Sequence, residues 1–153
     1  GVESVDWFKA YLGNRMQLVS VSGVESEPLQ VQCGVPQGSI LGPLLVLVHI
    51  NDMPISVQCK LLLYADDSAL LIPGKYPYAI AQNLSRELES CREWLTDNKL
   101  SLHLGKTESI IFGSKRKLKQ VNEFAVSCNG TKINQTKAAT LDNCLENPWL
   151  TTS

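Results

Sequence analysis

Two periodicities run along the chain. Between Tyr78 and Leu100 the apolar residues Ile80, Leu84, Leu88, Cys91 and Leu95 recur every three or four positions. This predicts a long amphipathic helix whose stripe must cover a sheet or another helix. A shorter helix begins the chain over Val2 to Asn14, where Val5, Trp7, Phe8, Tyr11 and Leu12 share one face, Ser4 can serve as N-cap and Gly13 lies near the stop. Elsewhere the pattern is that of strands. MQLVSVSG and EPLQVQCGV predict two strands joined by a polar, glycine-containing turn, while KLLLY and SALLI are continuous apolar runs that predict a hairpin buried on both faces. ESIIFG, EFAVSCNG and TKINQ read as short strands, with Asn129-Gly130 the strongest hairpin signal.

GVPQGSILGPLL is dense in glycine and proline and therefore predicts a constrained loop. Pro43 suits the first helical position after Gly42, although Ser39 is an alternative start, and Pro54 suits the end of the helix that follows. That helix is apolar nearly all round, which predicts burial. The order of elements is helix, two strands, helix, hairpin, long helix, small strands: an α+β chain. The tail ENPWLTTS shows no periodicity.

At 153 residues and 44% hydrophobic, the chain can bury a core as one globular domain. A net charge of −1 excludes a globally basic nucleic-acid binder, so any such partner meets a local patch, of which KRKLK at 115–119 is the dense one. Five scattered cysteines without a CxxC or a histidine pair argue against a disulfide framework and a zinc site, and predict reduced intracellular thiols, nuclear or cytoplasmic. The longest apolar run, 44–50, is too short to span a bilayer, and no membrane partner is expected. Gly1 at the start and no methionine before Met16 suggest a fragment.

The chemistry concentrates at Asp66 and Asp67, between the two greasy runs. A solvent-facing polar tip would be the ordinary explanation. A two-residue hairpin, however, wants the positive φ that Gly or Asn supplies, and Tyr-Ala-Asp-Asp-Ser contains neither. Two carboxylates about 4 Å apart also repel by about 4 kcal/mol at an effective dielectric of about 20. A divalent cation reverses that sign, and Mg²⁺ (or Mn²⁺) favours one or two carboxylates together with substrate phosphates. Neighbouring strand residues face opposite ways, so one aspartate is the stronger ligand, taken as Asp66. Two ions need at least one further carboxylate from a neighbouring strand.

YADD at 64–67, with CGVPQGSILGPLLVLVHINDMP at 33–54, resembles the palm of a reverse transcriptase of the non-LTR, LINE-like retrotransposon type. WFKAYLGNRMQ, NKLSLHLGKTESIIF and TLDNCLE extend the likeness in order, so that residues 1–146 resemble a partial palm and 147–153 an unmatched tail. The resemblance implies an antiparallel palm sheet with a YADD hairpin packed on helices. It implies an RNA-directed DNA polymerase, a nucleotidyltransferase joining deoxynucleotides to a primer 3′-hydroxyl on an RNA template. Asp66 and Asp67 would be the metal-site carboxylates. Tyr64 and Ala65 would line the nucleotide and primer end, Pro36, Gln37, Gly38 and Ser39 would pack against the incoming nucleotide, and Lys106 would neutralise or protonate the leaving pyrophosphate.

The sequence departs from the family's pattern in three respects. The first metal-site aspartate precedes the segment matched by WFKAYLGNR; fingers and thumb have no counterpart; and the primer-grip block reads Ala138, Ala139, Thr140. The chain alone is therefore expected to be inactive. A non-catalytic transposon remnant or interaction domain is the alternative, and an unrelated Asp-pair phosphohydrolase a second.

Overall fold

The computed structural model describes residues 2–65, 67–121, 124–136 and 139–140, and at 2, 3, 139 and 140 the backbone alone. Asp66, Ala138, Cys144, most of TLDNCLE and the tail thus lie outside the described residues. The chain divides into two compact units, Gly1–Asn51 and Asp52–Ser153.

In the first unit, helix α1 (Val2–Leu12) forms where the aromatic face predicted it. Trp7 stacks on Tyr11 one turn away, with ring centroids 5.3 Å apart, and meets Phe8 edge-on at 5.1 Å. Ser4 is not the cap: the helix starts two residues earlier, which places Ser4 within its first turn. The expected strand pair is a ribbon in two pieces. β1 (Met16–Gln17) pairs with a later strand, β4 (Leu29–Gln30), while β2 (Ser20–Val21) and β3 (Val24–Glu25) pair across Ser22 and Gly23, both at positive φ. Val19 and Ser26 join the pieces: the Ser26 amide donates to the Val19 carbonyl at 2.9 Å, and the Ser26 hydroxyl accepts from the Val19 amide at 3.0 Å.

Helix α2 (Gly42–Ile50) carries Pro43 in its first turn, as proline's missing N–H favours. Its expected burial is not found. Leu44, Val46, Leu47 and Val48 are all exposed, and Gly42 is its buried residue. An apolar helix is buried only where another apolar layer covers it, and here only Leu45 and Ile50 among its large side chains are even half-buried.

In the second unit, a 3₁₀ turn (Met53–Ser56) leads to β5 (Lys60–Tyr64), which pairs antiparallel with β6 (Asp67–Leu71). Helix α3 (Pro77–Asp97) follows, its stripe inward as predicted. Ala81, Leu88 and Cys91 are buried. The helix serves two clusters: Met53, Val57 and Cys91 with Leu61, Leu63 and Leu70, and Ala81 and Leu88 with Ile111, Phe124, Val126, Cys128 and Ile133. The small strands then close the unit: β7 (Glu108–Ser109), β8 (Phe112–Gly113), short helix α4 (Lys115–Leu118), β9 (Ser127–Cys128), β10 (Thr131–Lys132), β11 (Asn134–Gln135) and β12 (Ala139–Thr140). β9 and β10 form the predicted hairpin, with Asn129 at φ 49° and Gly130 at φ 71°. β11 runs parallel to β7 and β12 parallel to β8. Among the described residues no helix is long and apolar enough to cross a membrane.

A charged tie holds that hairpin to α3. The Glu89 carboxylate accepts from Arg92 (Nε at 2.7 Å, Nη2 at 2.5 Å), from the Asn129 amide at 2.9 Å and from the Cys128 thiol at 3.3 Å. These donors, Arg92 first, hold the Glu89 carboxyl at about 2 against an ordinary 4.5. Burial, then Glu89, pushes the Cys128 thiol up to about 11. A carboxyl whose folded pKa lies below its unfolded one stabilises the fold above the unfolded value, and this is lost as pH falls through the folded one. The denaturation midpoint is therefore expected to fall between pH about 4.5 and about 2. A Glu89→Gln chain measured over the same range should show a shallower fall; identical profiles would rule the tie out.

Candidate active site

The β5–β6 register runs from Lys60↔Leu71 through Leu62↔Ala69 to Tyr64↔Asp67. Because strand side chains alternate, Lys60, Leu62, Tyr64, Asp67, Ala69 and Leu71 share one face, and Leu61, Leu63, Ser68 and Leu70 the other. The second face packs its leucines on the Met53–Val57–Cys91 cluster below α3. The first is open: Tyr64 is 80% exposed, Leu62 46% and Leu71 39%. The pair is thus buried on one face, not both as the continuous apolar runs implied. With helix on one side only, the first face of the pair stays open within this unit.

At the tip, Ala65 has φ 50°. A non-glycine residue there carries strain of about 1–2 kcal/mol, and strain of this kind collects at functional sites. Asp67 is exposed and opposite Tyr64, so the structure brings these two predicted residues together.

Glu87 of α3 holds the entry to β5. Its Oε2 accepts from the Gln58 amide at 2.6 Å and the Cys59 amide at 3.3 Å. Burial and then the Glu87 charge raise the Cys59 thiol. Leucines alone would let a strand slide along a helix, whereas a carboxylate accepting two successive amides sets one position. Hydrogen bonds to a charged group are worth about 1.5–3 kcal/mol, so Glu87→Ala is expected to speed hydrogen exchange at Gln58 and Cys59 by about tenfold to a hundredfold. Unchanged exchange at both amides would contradict the anchor.

The loop carrying Pro36, Gln37, Gly38 and Ser39 belongs to the first unit. The Ser39 hydroxyl donates to the Pro36 carbonyl at 2.8 Å and accepts from the Gly42 amide at 3.0 Å, so it closes the loop onto the start of α2. Gly38 has φ 74°, which suits a residue without Cβ. A Cβ on Gly42 would lie 2.9 Å from Ser39 Oγ, so this glycine is required by packing. Gln37 and Gly38 are exposed at the crest, Pro36 half-buried. Arg15 clamps the loop's entry: Nε donates to the Leu12 carbonyl at 2.9 Å, and Nη2 to those of Cys33 at 3.5 Å and Gly34. Neither Arg15 nor Glu87 could be singled out from sequence, because the distant segment that each ties down lies 18 to 29 positions away.

Lys106 is exposed in a turn whose amide donates to the His103 carbonyl at 3.0 Å and Nδ1 at 3.2 Å. No described contact joins it to Tyr64 or Asp67. Asp67 is a hard oxygen donor of the kind Mg²⁺ prefers, yet among the described residues no three His, Cys, Asp or Glu side chains come together as a metal centre.

Residues 1–144 match the family model of reverse transcriptase (RNA-dependent DNA polymerase). The chain belongs to the reverse transcriptase family. Within it, the chain is 29% identical over 134 residues to the RNA-directed DNA polymerase from mobile element jockey of Drosophila melanogaster, covering 82% of this chain and 14% of that protein. It is 30% identical over 114 residues to the probable RNA-directed DNA polymerase from transposon X-element of the same fly, covering 71% and 13%. With the corresponding transposon BS protein it shares 37% over 99 residues, 57% of this chain and 11% of that one. The reverse transcriptase chain thus resembles non-LTR retrotransposon polymerases, as PQGS, INDMP, YADD and KTE suggested, and spans about a seventh or less of these relatives. No solved structure matches it.

Proposed function

We propose that the chain is part of the palm of an RNA-directed DNA polymerase which, in the whole protein, extends a DNA primer on an RNA template with deoxynucleoside triphosphates. The observation that carries this reading is the β5–β6 register, which sets Tyr64 against Asp67 on an exposed strand face beside a tip strained at Ala65. A primer end needs such an open face. Tyr64 offers it a flat apolar wall, and Asp67 lies opposite Tyr64 at the end of the ribbon, with Asp66 beside it in sequence. Gln37 and Gly38, at the crest of a loop locked by Ser39 and Arg15, offer amide and backbone groups to a nucleotide. Lys106, as an exposed cation, would compensate charge on departing pyrophosphate.

Asp66 and Asp67 would hold Mg²⁺ or Mn²⁺, which when bound neutralises phosphate charge and lowers the pKa of the attacking hydroxyl. They are two of the carboxylates that such a centre requires, and the remainder must come from outside these residues. The 153 residues alone are therefore proposed not to polymerise. Primer extension on a homopolymeric RNA template tests both statements: incorporation by the full-length protein and none by the 153-residue chain supports them. Incorporation by that chain, surviving Asp66→Asn, would refute the site.

A further inference from the structure

The sequence's one dense run of cations takes a definite form. Helix α4 is short, but it is fixed at both ends: the Ser114 side chain accepts from the Lys117 amide at its start, and Leu118 packs on the buried cluster of Ile111, Phe124 and Val126. At 100° per residue, Lys115, Arg116 and Lys119 fall on one 100° arc, with Leu118 outside it. All three are exposed, as is Lys117. Among the described residues the ion pairs are Lys9–Asp6 and Arg92–Glu89, so these four cations have no acidic partner there. The concentration is local, since the whole chain is at net charge −1. A mobile basic tail spends ordering entropy on binding, whereas cations mounted on a packed leucine have part of that ordering in place.

We propose that α4 is a contact surface for the phosphate backbone of a nucleic-acid strand, with Lys115, Arg116 and Lys119 as the contacts and Leu118 as their mount. Spaced cations on one arc match successive phosphodiesters and read no bases, so the surface grips strands without regard to sequence. The partner is taken as nucleic acid because the chain belongs to a polymerase family; an anionic lipid surface is the competing possibility. The proposal builds on the polymerase reading for its context, but the surface acts without nucleotide or metal.

The test uses the full-length protein in EDTA without nucleotide, and reads affinity against salt for single-stranded RNA, single-stranded DNA and an RNA–DNA duplex of mixed sequence. Removing one cation from a phosphate lowers the slope of log K against log salt by about 0.7 on single strands and 0.9 on duplex. The triple variant Lys115→Gln, Arg116→Gln, Lys119→Gln is expected to lower the slope by about 2 to 3 for at least one of these substrates. The substrate affected identifies the strand. Lys115→Arg with Lys119→Arg should keep the wild-type slope, and so should Lys99→Gln, an exposed lysine elsewhere. An unchanged slope in the triple variant overturns the proposal. An equal fall with Lys99→Gln, or a loss confined to vesicles of anionic lipid, also overturns it. Primer extension is scored separately, so failure of the surface and failure of the polymerase reading give different results.

Discussion

Asp66→Asn in the full-length protein is expected to lower template-directed incorporation by about a thousandfold or more while leaving template–primer affinity and the thermal midpoint unchanged. The substitution keeps shape and removes one charge. In a group of carboxylates that acts as a unit, loss of one member removes most of what the group supplies. Asp67→Asn should be milder. Asp67 opens β6 and lies on the Tyr64 face, and Asp66 is taken as the stronger ligand, so the two substitutions are not expected to be equivalent. Incorporation rates in single-turnover primer extension decide it. Equal activity of both variants and wild type would remove the aspartates from the chemistry.

Ile133→Ala is expected to have the largest effect on stability, about 2–5 kcal/mol in urea unfolding. Ile133 is 2% exposed and sits where the chain leaves β10, paired with β9, and enters β11, paired with β7. Its amide donates to the Val126 carbonyl at 2.8 Å, and its side chain packs with Val126 and Cys128 in the cluster under α3. The cavity would open between the two strand pairs, in the cluster that also holds Ala81 and Leu88 of α3. A comparable truncation at the open face, Leu62→Ala, should cost much less, because Leu62 is 46% exposed. Equal losses at the two positions would mean that the open face is covered in solution.

The contrast between those two positions also explains what was legible in the sequence. Helix α3 and the Asn129-Gly130 hairpin were readable because each depends on a local pattern: an apolar stripe whose residues bury together, and a dipeptide that accepts positive φ at both positions. PQGS and YADD were readable as residue types, and family membership follows from them. Burial was not. The runs around β5, β6 and α2 are apolar on every side, and such runs do not say which side has a partner; in this chain Leu62, Leu71, Leu44 and Leu47 stay exposed and belong to neither buried cluster of the described residues. Exposed apolar surface of this extent fits a segment that works within a larger protein. The anchors Glu87 and Arg15 were invisible for another reason, since both grip backbone atoms that any sequence would provide.

The central claim is that the strained tip after Tyr64 presents carboxylates to a primer end. The most direct measurement is a structure of the full-length protein with RNA template, DNA primer, a non-hydrolysable deoxynucleoside triphosphate and Mg²⁺. The claim predicts an Asp66 oxygen about 2.1 Å from an ion that also touches the nucleotide's phosphates, with the primer's last base against Tyr64. A primer end seated away from the open face of β5 and β6, with no ion at Asp66, would contradict it.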